Sequence, residues 1–313
     1  MDVCYLIVGL ALLVYGGNWL LKAAVGLSLQ LNIPKIVIGM TVVSFATSAP
    51  ELIVSIKAAM VGATGLAVGN VIGSNIANIG LVLGITVVLA TIDVEKSFYK
   101  TDWPIMMFSS ILFVAFIIFD HTIQSYEGAI LFGLLIVFLI YLLKFQKQAV
   151  VDEIPEDDEA LPHYKIALYL TLGGVALWAG SELLVTGAVS LAKAMGVSER
   201  IIGITVVSIG TSIPELSASV VAVLKKEKAI SLGNLIGSNM FNILAVLGIT
   251  AMITPIHIKT KDLGLLQTDI YWMLGFSLLI LPLVFFPKKL RLNWKDGLVL
   301  LCLYGLFIYK TIQ

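Results

Sequence analysis

The chain has 313 residues, of which 59% are hydrophobic and only 13% charged, and it carries no net charge. A soluble domain carries about 25% charged residues, so this composition, with a mean hydropathy of +1.00, excludes an ordinary soluble enzyme. The balance of acidic and basic residues also excludes a basic footprint for nucleic acid.

The fold class expected is an all-α polytopic membrane protein. Apolar runs of about twenty residues place about ten spans at 3–29, 36–61, 66–90, 103–119, 126–144, 165–192, 200–224, 229–253, 269–286 and 294–310. The first span lacks the basic start of a signal peptide, and the sixth repeats it, so it reads as a permanent helix. It holds Tyr15-Gly16-Gly17-Asn18-Trp19, matched by Ala179-Gly180-Ser181-Glu182-Leu183. Small residues there allow close helix approach. Glu182 is expected to be a buried acid, with packing or hydrogen bonding its first role because its counterpart is the neutral Asn18.

The second span contains Thr41-Val42-Val43-Ser44-Phe45-Ala46-Thr47-Ser48-Ala49-Pro50-Glu51. The seventh repeats it as Thr205-Val206-Val207-Ser208-Ile209-Gly210-Thr211-Ser212-Ile213-Pro214-Glu215, at an offset of 164 residues. A charge at mid-bilayer costs at least ~2.5 kcal/mol, and here it occurs twice in one arrangement. Pro50 and Pro214 lack the N–H that would bond the carbonyls of Ala46 and Gly210. Each segment therefore presents loose carbonyls, hydroxyls and a carboxylate within about one turn. All are oxygen ligands, suited to a hard cation. A proline-kinked helix with hydroxyls bonded back to its backbone explains one such segment; repetition favours a site.

The third span reads Gly69-Asn70-Val71-Ile72-Gly73-Ser74-Asn75-Ile76-Ala77-Asn78, and the eighth reads Gly233-Asn234-Leu235-Ile236-Gly237-Ser238-Asn239-Met240-Phe241-Asn242. Asn70, Ser74 and Asn78 recur every four residues and line one helix face. The same pattern in both halves predicts a polar wall facing the glutamates.

From Gly16 to Thr86 the chain aligns without gaps to Gly180 through Thr250. After small insertions Thr101-Asp102 corresponds to Thr268-Asp269, and Glu127-Gly128 to Asp296-Gly297. The chain therefore divides into a first five-helix repeat at 1–144, an acidic linker at 145–163 and a second five-helix repeat at 164–313. Five spans is an odd number, so the halves enter the membrane with inverted topology, and the site belongs at mid-membrane between interrupted helices. Lys and Arg in the loops place both termini outside and the linker in the cytoplasm, in a plasma membrane of prokaryotic inner-membrane type.

The linker lacks the glycine turn and spacing of an EF-hand loop and reads as solvated. Pro287-Lys288-Lys289-Leu290-Arg291 reads as a headgroup anchor. His121, His163 and His257 are scattered over span ends and loops, and Cys4 and Cys302 read as inert packing residues. No resident cofactor is expected.

The paired segments Ala46–Glu51 and Gly210–Glu215, each followed by Gly-Asn-x-x-Gly-Ser-Asn-x-x-Asn, resemble the two alpha-repeats of the sodium/calcium exchangers, of the cation/calcium antiporter superfamily and prokaryotic in type. The resemblance covers nearly the whole chain. It implies ten helices, an outward N-terminus, transported calcium and sodium, and four ion sites between the second, third, seventh and eighth helices. The ligands it implies are the carbonyls of Ser44 and Ser208, then Thr47, Ser48, Glu51, Ser74 and Asn78, and Thr211, Ser212, Glu215, Ser238 and Asn242. Some relatives carry an acid where this chain has Asn78 or Asn242, which leaves the ion count and any potassium coupling open.

Two glutamates supply the charge that one calcium ion neutralises, while several sodium ions could share the same oxygens, so competition for one site makes exchange obligatory. The first and sixth helices are expected to slide over the core in alternating access. The nearest alternatives are a calcium/proton antiporter, since a desolvated glutamate could carry a proton, and a potassium-dependent sodium/calcium exchanger. A cation channel is the reading from another class; it would line one continuous pore by oligomeric symmetry. An intramembrane hydrolase would need a nucleophile–base or metal constellation that the motifs lack. Oligomeric state is not written in the sequence.

Overall fold

The computed structural model describes residues 2–145, 161–194, 208–258, 263–286 and 289–312. Most of the acidic linker, the start of the seventh span with Thr205-Val206-Val207, and Pro287-Lys288 of the basic cluster lie outside the described residues. So do Lys259 and Lys261.

The described chain is helical. We label α1 (Asp2–Leu31), α2 (Lys35–Thr47), α3 (Ala49–Met60), α4 (Thr64–Leu89), α5 (Phe98–Asp120), α6 (Ser125–Phe145), α7 (His163–Ala194), α8 (Ser208–Thr211), α9 (Ile213–Leu224), α10 (Lys228–Ile253), α11 (Leu265–Phe285) and α12 (Trp294–Ile312). Among the described residues seven helices are long and apolar enough to cross a membrane, or eight when the bent pair α2–α3 is one span. About ten were expected from the sequence. The seventh expected span is represented by the short α8 and α9. The tenth, α12, carries Lys295, Asp296 and Lys310 towards its ends.

Two helices form the centre. The apolar stretches of α4 and α10 are 78% and 83% buried, whereas the other five spanning helices are 28–33% buried. Side chains such as Ile72, Ile76, Ile79 and Leu83 fill the space around α4. In lipid this packing gains by close van der Waals fit and not by removal from water, so small residues decide how near two backbones come. A Cβ on Gly39 would stand 2.5 Å from the Ile230 carbonyl oxygen, and one on Gly237 would stand 2.6 Å from Met40 Cα. Glycine at these positions lets α2 lie directly on α10.

The same device joins α1 to α7. A Cβ on Gly9 would stand 2.9 Å from the Gly180 carbonyl, and one on Gly16 would stand 3.1 Å from that of Gly173. Gly9 faces Gly180 while Gly16 faces Gly173, so the two helices run antiparallel. Hydroxyls tie this pair to the rest: Ser217 Oγ donates to the Leu13 carbonyl at 2.7 Å, and Ser181 Oγ to the Gly210 carbonyl at 2.7 Å. Ser181 turns inward, so Glu182, one residue further round the helix, turns outward. Glu182 is exposed and not the buried acid expected of it.

Loops pair across the molecule in two short antiparallel ladders. β1 (Ile92–Asp93) pairs with β4 (Arg291–Leu292), and β2 (Thr122–Ile123) pairs with β3 (Ile256–His257). Asp93 and Arg291 form an ion pair at 3.1 Å across the first ladder. His257 Nδ1 lies 2.7 Å from Thr122 Oγ1 across the second. The turns preceding α6 and α12 are built alike. Glu127 accepts from the Gln124 N–H at 2.8 Å and Asp296 from the Asn293 N–H at 2.8 Å, each carboxylate capping its own helix. Cys4 and Cys302 are free and exposed on the outer faces of the first and last helices, not packed as expected.

Candidate ion-binding site

The proline-bearing segments do break their helices. Between α2 and α3 the chain leaves helical geometry at Ser48 (φ −89°, ψ 4°), and the two pieces meet at 45°. Ser212 (φ −91°, ψ 5°) makes the same break between α8 and α9. Pro50 and Pro214 lie in the first turn of the following helix, where a missing N–H costs nothing. That places Glu51 and Glu215 in the first turns of α3 and α9, where free N–H groups and the helix dipole favour negative charge.

Both glutamates are wholly buried. Ser48 Oγ donates to Glu215 Oε1 at 3.1 Å, linking the first break to the second acid. Thr47 Oγ1 lies 3.2 Å from Asn234 Oδ1 and 3.4 Å from Ser238 Oγ. Ser74 Oγ lies 3.4 Å from Thr211 Oγ1. These contacts bring together residues from four separate places in the chain: Thr47 and Ser48, Ser74, Thr211 and Glu215, and Ser238. The other candidates in the same segments are Glu51, Asn78, Ser212 and Asn242. All are buried except Thr211, which is half-buried.

Two expected ligands stand differently. The Ser44 carbonyl accepts from the Ser48 N–H at 2.9 Å and lies 3.3 Å from the Thr47 hydroxyl. Its own hydroxyl is 2.8 Å from both the Gly39 and Asn234 carbonyls. Ser208 opens α8, and its side chain lies outside the described residues.

The expected polar face of α4 is present. Asn70 donates to Ser55 Oγ at 3.1 Å and reaches the Glu51 carbonyl at 3.4 Å; Asn234 donates to Ser219 Oγ at 3.1 Å in the other half. Asn78 and Asn242 each begin a π-helical turn, Asn78–Leu83 and Asn242–Leu247. Such turns lodge one extra residue in a helix and recur at functional sites. Neither was expected from spacing alone. Asn75 and Asn239 were also missed, although both sit inside the repeated motif. They bond across the halves to Asn242 and Asn78.

The chemistry is set by what has no partner. Both oxygens of Glu51, Oε2 of Glu215, and Oδ1 of Asn78 and of Asn242 are buried without a hydrogen-bond donor. Leaving one polar atom unpaired in an apolar setting costs roughly 1–3 kcal/mol, and here five acceptors share that condition. Acceptors without donors suit a cation, which offers positive charge to several oxygens at once. Among the described residues no group of three or more His, Cys, Asp and Glu has the form of a metal-binding cluster. Beside the site an apolar groove of about 800 Å³ reaches Ser48 between α2, α3, α6, α7 and α10, lined by Phe45, Phe132, Trp178 and Phe241. Its walls are apolar apart from the hydroxyls of Thr41, Ser48 and Thr171.

The family model described as sodium/calcium exchanger protein matches residues 1–144 and 165–313. The chain belongs to the sodium/calcium exchanger family. It is 30% identical to the sodium/calcium exchanger MaX1 of Methanosarcina acetivorans, over 97% of this chain and 96% of that protein. It is 36% identical to the inner membrane protein YrbG of Escherichia coli strain K12, over 80% of this chain and 79% of that one. The fold matches that of the sodium-calcium exchanger NCX_Mj with a TM-score of 0.82 and 30% identity, covering 98% of both chains. These matches support, in general terms, calcium/sodium antiport by this family member.

Proposed function

We propose that this exchanger moves calcium against sodium by alternating access, with both ions competing for the oxygens around Glu51 and Glu215. The observation that carries the reading is the set of five buried acceptors without donors. One calcium ion balances the two carboxylates, while sodium ions can occupy the hydroxyl, amide and carboxylate oxygens in its place. The ligands assigned are Thr47, Ser48, Glu51, Ser74, Asn78, Thr211, Ser212, Glu215, Ser238 and Asn242, with the carbonyls of Ser44 and Ser208.

In this reading the chain has ten helices in two inverted repeats, with both termini outside a plasma membrane and the linker in the cytoplasm. Several contacts support it. The breaks at Ser48 and Ser212, the amides Asn70 and Asn234, and the π-helical turns at Asn78 and Asn242 recur at the same offset. Each cross-link between loops joins two that the charge distribution puts on one side. Lys35 pairs with Glu227 at 2.9 Å, and Gln30 bonds the Leu161 carbonyl, both on the inner side; β1–β4 is inner, whereas β2–β3 and the Thr64 bond to the His257 carbonyl are outer. The antiparallel α1–α7 pair is the element that slides.

The test is calcium-45 uptake into proteoliposomes loaded with sodium, against sodium-free and acid-loaded controls. Sodium-driven uptake that disappears in Glu51→Gln is expected. Uptake driven only by the proton gradient would make this a calcium/proton antiporter, and single-channel currents would make it a channel.

A further inference from the structure

An amide side chain can turn over and exchange its oxygen for its NH2. The Oδ1 atoms of Asn78 and Asn242, buried and without a donor, therefore keep their orientation only if something that cannot turn holds them. Asn75 and Asn239 provide that anchor. Asn75 Nδ2 lies 3.2 Å from the backbone carbonyl of Asn239 and 3.8 Å from Met273 Sδ. Asn239 Nδ2 lies 3.9 Å from Met106 Sδ. A carbonyl and a thioether accept hydrogen bonds and have no hydrogen to donate. Each of these amides thus bonds in one orientation, with its NH2 on the fixed acceptor and its oxygen towards the opposite half.

Those oxygens dictate the next step. Asn242 Nδ2 donates to Asn75 Oδ1 at 3.1 Å, and Asn78 Nδ2 donates to Asn239 Oδ1 at 3.2 Å. With their NH2 groups committed, Asn242 and Asn78 keep their own Oδ1 atoms buried and without a donor. The turn that begins at Asn242 packs on α3, which carries Glu51, and the turn that begins at Asn78 packs on α9, which carries Glu215. Reversing either amide would aim N–H hydrogens at a bound cation.

We propose that Asn75 and Asn239 are positioning residues of the ion site, with Met273 and Met106 as fixed acceptors, and that they keep the site acceptor-only. The proposal rests on the cation-site reading above. It states that neither residue touches the ion and that each acts through the amide it polarises across the two halves.

The test is equilibrium calcium-45 binding to the purified full-length protein in sodium-free buffer. Asn75→Leu is expected to weaken binding by about 10- to 100-fold, the usual cost of removing a group that orients a metal ligand. In an Asn242→Asp background a carboxylate has two oxygens and no NH2, so orientation no longer matters. There Asn75→Leu should change affinity by no more than about twofold. Equal losses in both backgrounds would make Asn75 a packing residue and overturn the proposal. Unchanged affinity in Asn75→Leu, with binding lost in Glu51→Gln, would overturn it while leaving the site in place. Normal binding by Glu51→Gln would remove the reading beneath it. Should Asn75→Leu not fold, the unaltered protein still decides. Calcium should lower the side-chain amide carbonyl frequency in the infrared difference spectrum, an effect missing from Asn78→Asp/Asn242→Asp; no such shift overturns the proposal.

Discussion

Glu51 and Glu215 repeat each other in sequence but not in hydrogen bonding. Glu215 accepts from Ser48, whereas neither oxygen of Glu51 has a donor. A hydrogen bond to a charged group contributes about 1.5–3 kcal/mol. Ser48→Ala should therefore weaken calcium binding by about tenfold or more at 1.4 kcal/mol per decade, read by calcium-45 titration. Glu215→Gln should abolish uptake while leaving thermal unfolding in detergent close to that of the unaltered protein. The candidate acids and hydroxyls stand out in the sequence because an expensive pattern is written twice. Asn75 and Asn239 do not. Helical spacing singled out Asn70, Ser74 and Asn78 as one face, and Asn75 falls off that face; its role depends on a partner in the other half. The signal that could have found them is their own recurrence at the same offset as the ligands. Glu182 misled for the opposite reason: an acid in an apolar run invites burial, and only the inward turn of Ser181 shows that it faces out.

Helices were the most legible elements, since spans longer than twenty apolar residues have few alternatives in lipid. Their irregularities were only partly so. Proline announced the breaks after Thr47 and Thr211, but π-helical turns have no residue that marks them, and those at Asn78 and Asn242 arise where the chain meets its partner helices. Glycine contacts make a prediction at this scale. Gly237→Val must push into Met40 and the α2 backbone, and overpacking of this kind costs about 1–3 kcal/mol; a lower unfolding temperature is expected. Gly133 in α6 has open space where its Cβ would be, so Gly133→Ala should be neutral or stabilising by about 0.5–1 kcal/mol. Thermal unfolding of both variants side by side checks the contrast.

For the whole molecule, sidedness is the testable quantity. In a background with Cys4 and Cys302 replaced by serine, Asp120→Cys should react with an impermeant thiol reagent added to intact cells, and Asp93→Cys should not. Reversed labelling would invert the proposed orientation. The Asp93–Arg291 pair lies at the rim of its ladder, with side chains 69% and 43% exposed. Replacing both with alanine should cost less than about 1 kcal/mol, seen as a near-unchanged unfolding temperature. The two ladders themselves were invisible in sequence, because two-residue strands have no period to read and their partners lie far along the chain.

The contact between α1 and α7 has a consequence of its own. Backbones touch at Gly9–Gly180 and again at Gly16–Gly173, two levels about 10 Å apart at 1.5 Å per residue. A pair pinned at two heights cannot splay, so it moves as one stiff plank. On the proposed mechanism, a plank that slides off one mouth of the site must cover the other. A short circuit, with calcium running freely down its gradient, would require prying the plank apart along its length, and the glycines that let the two helices touch are what resist it.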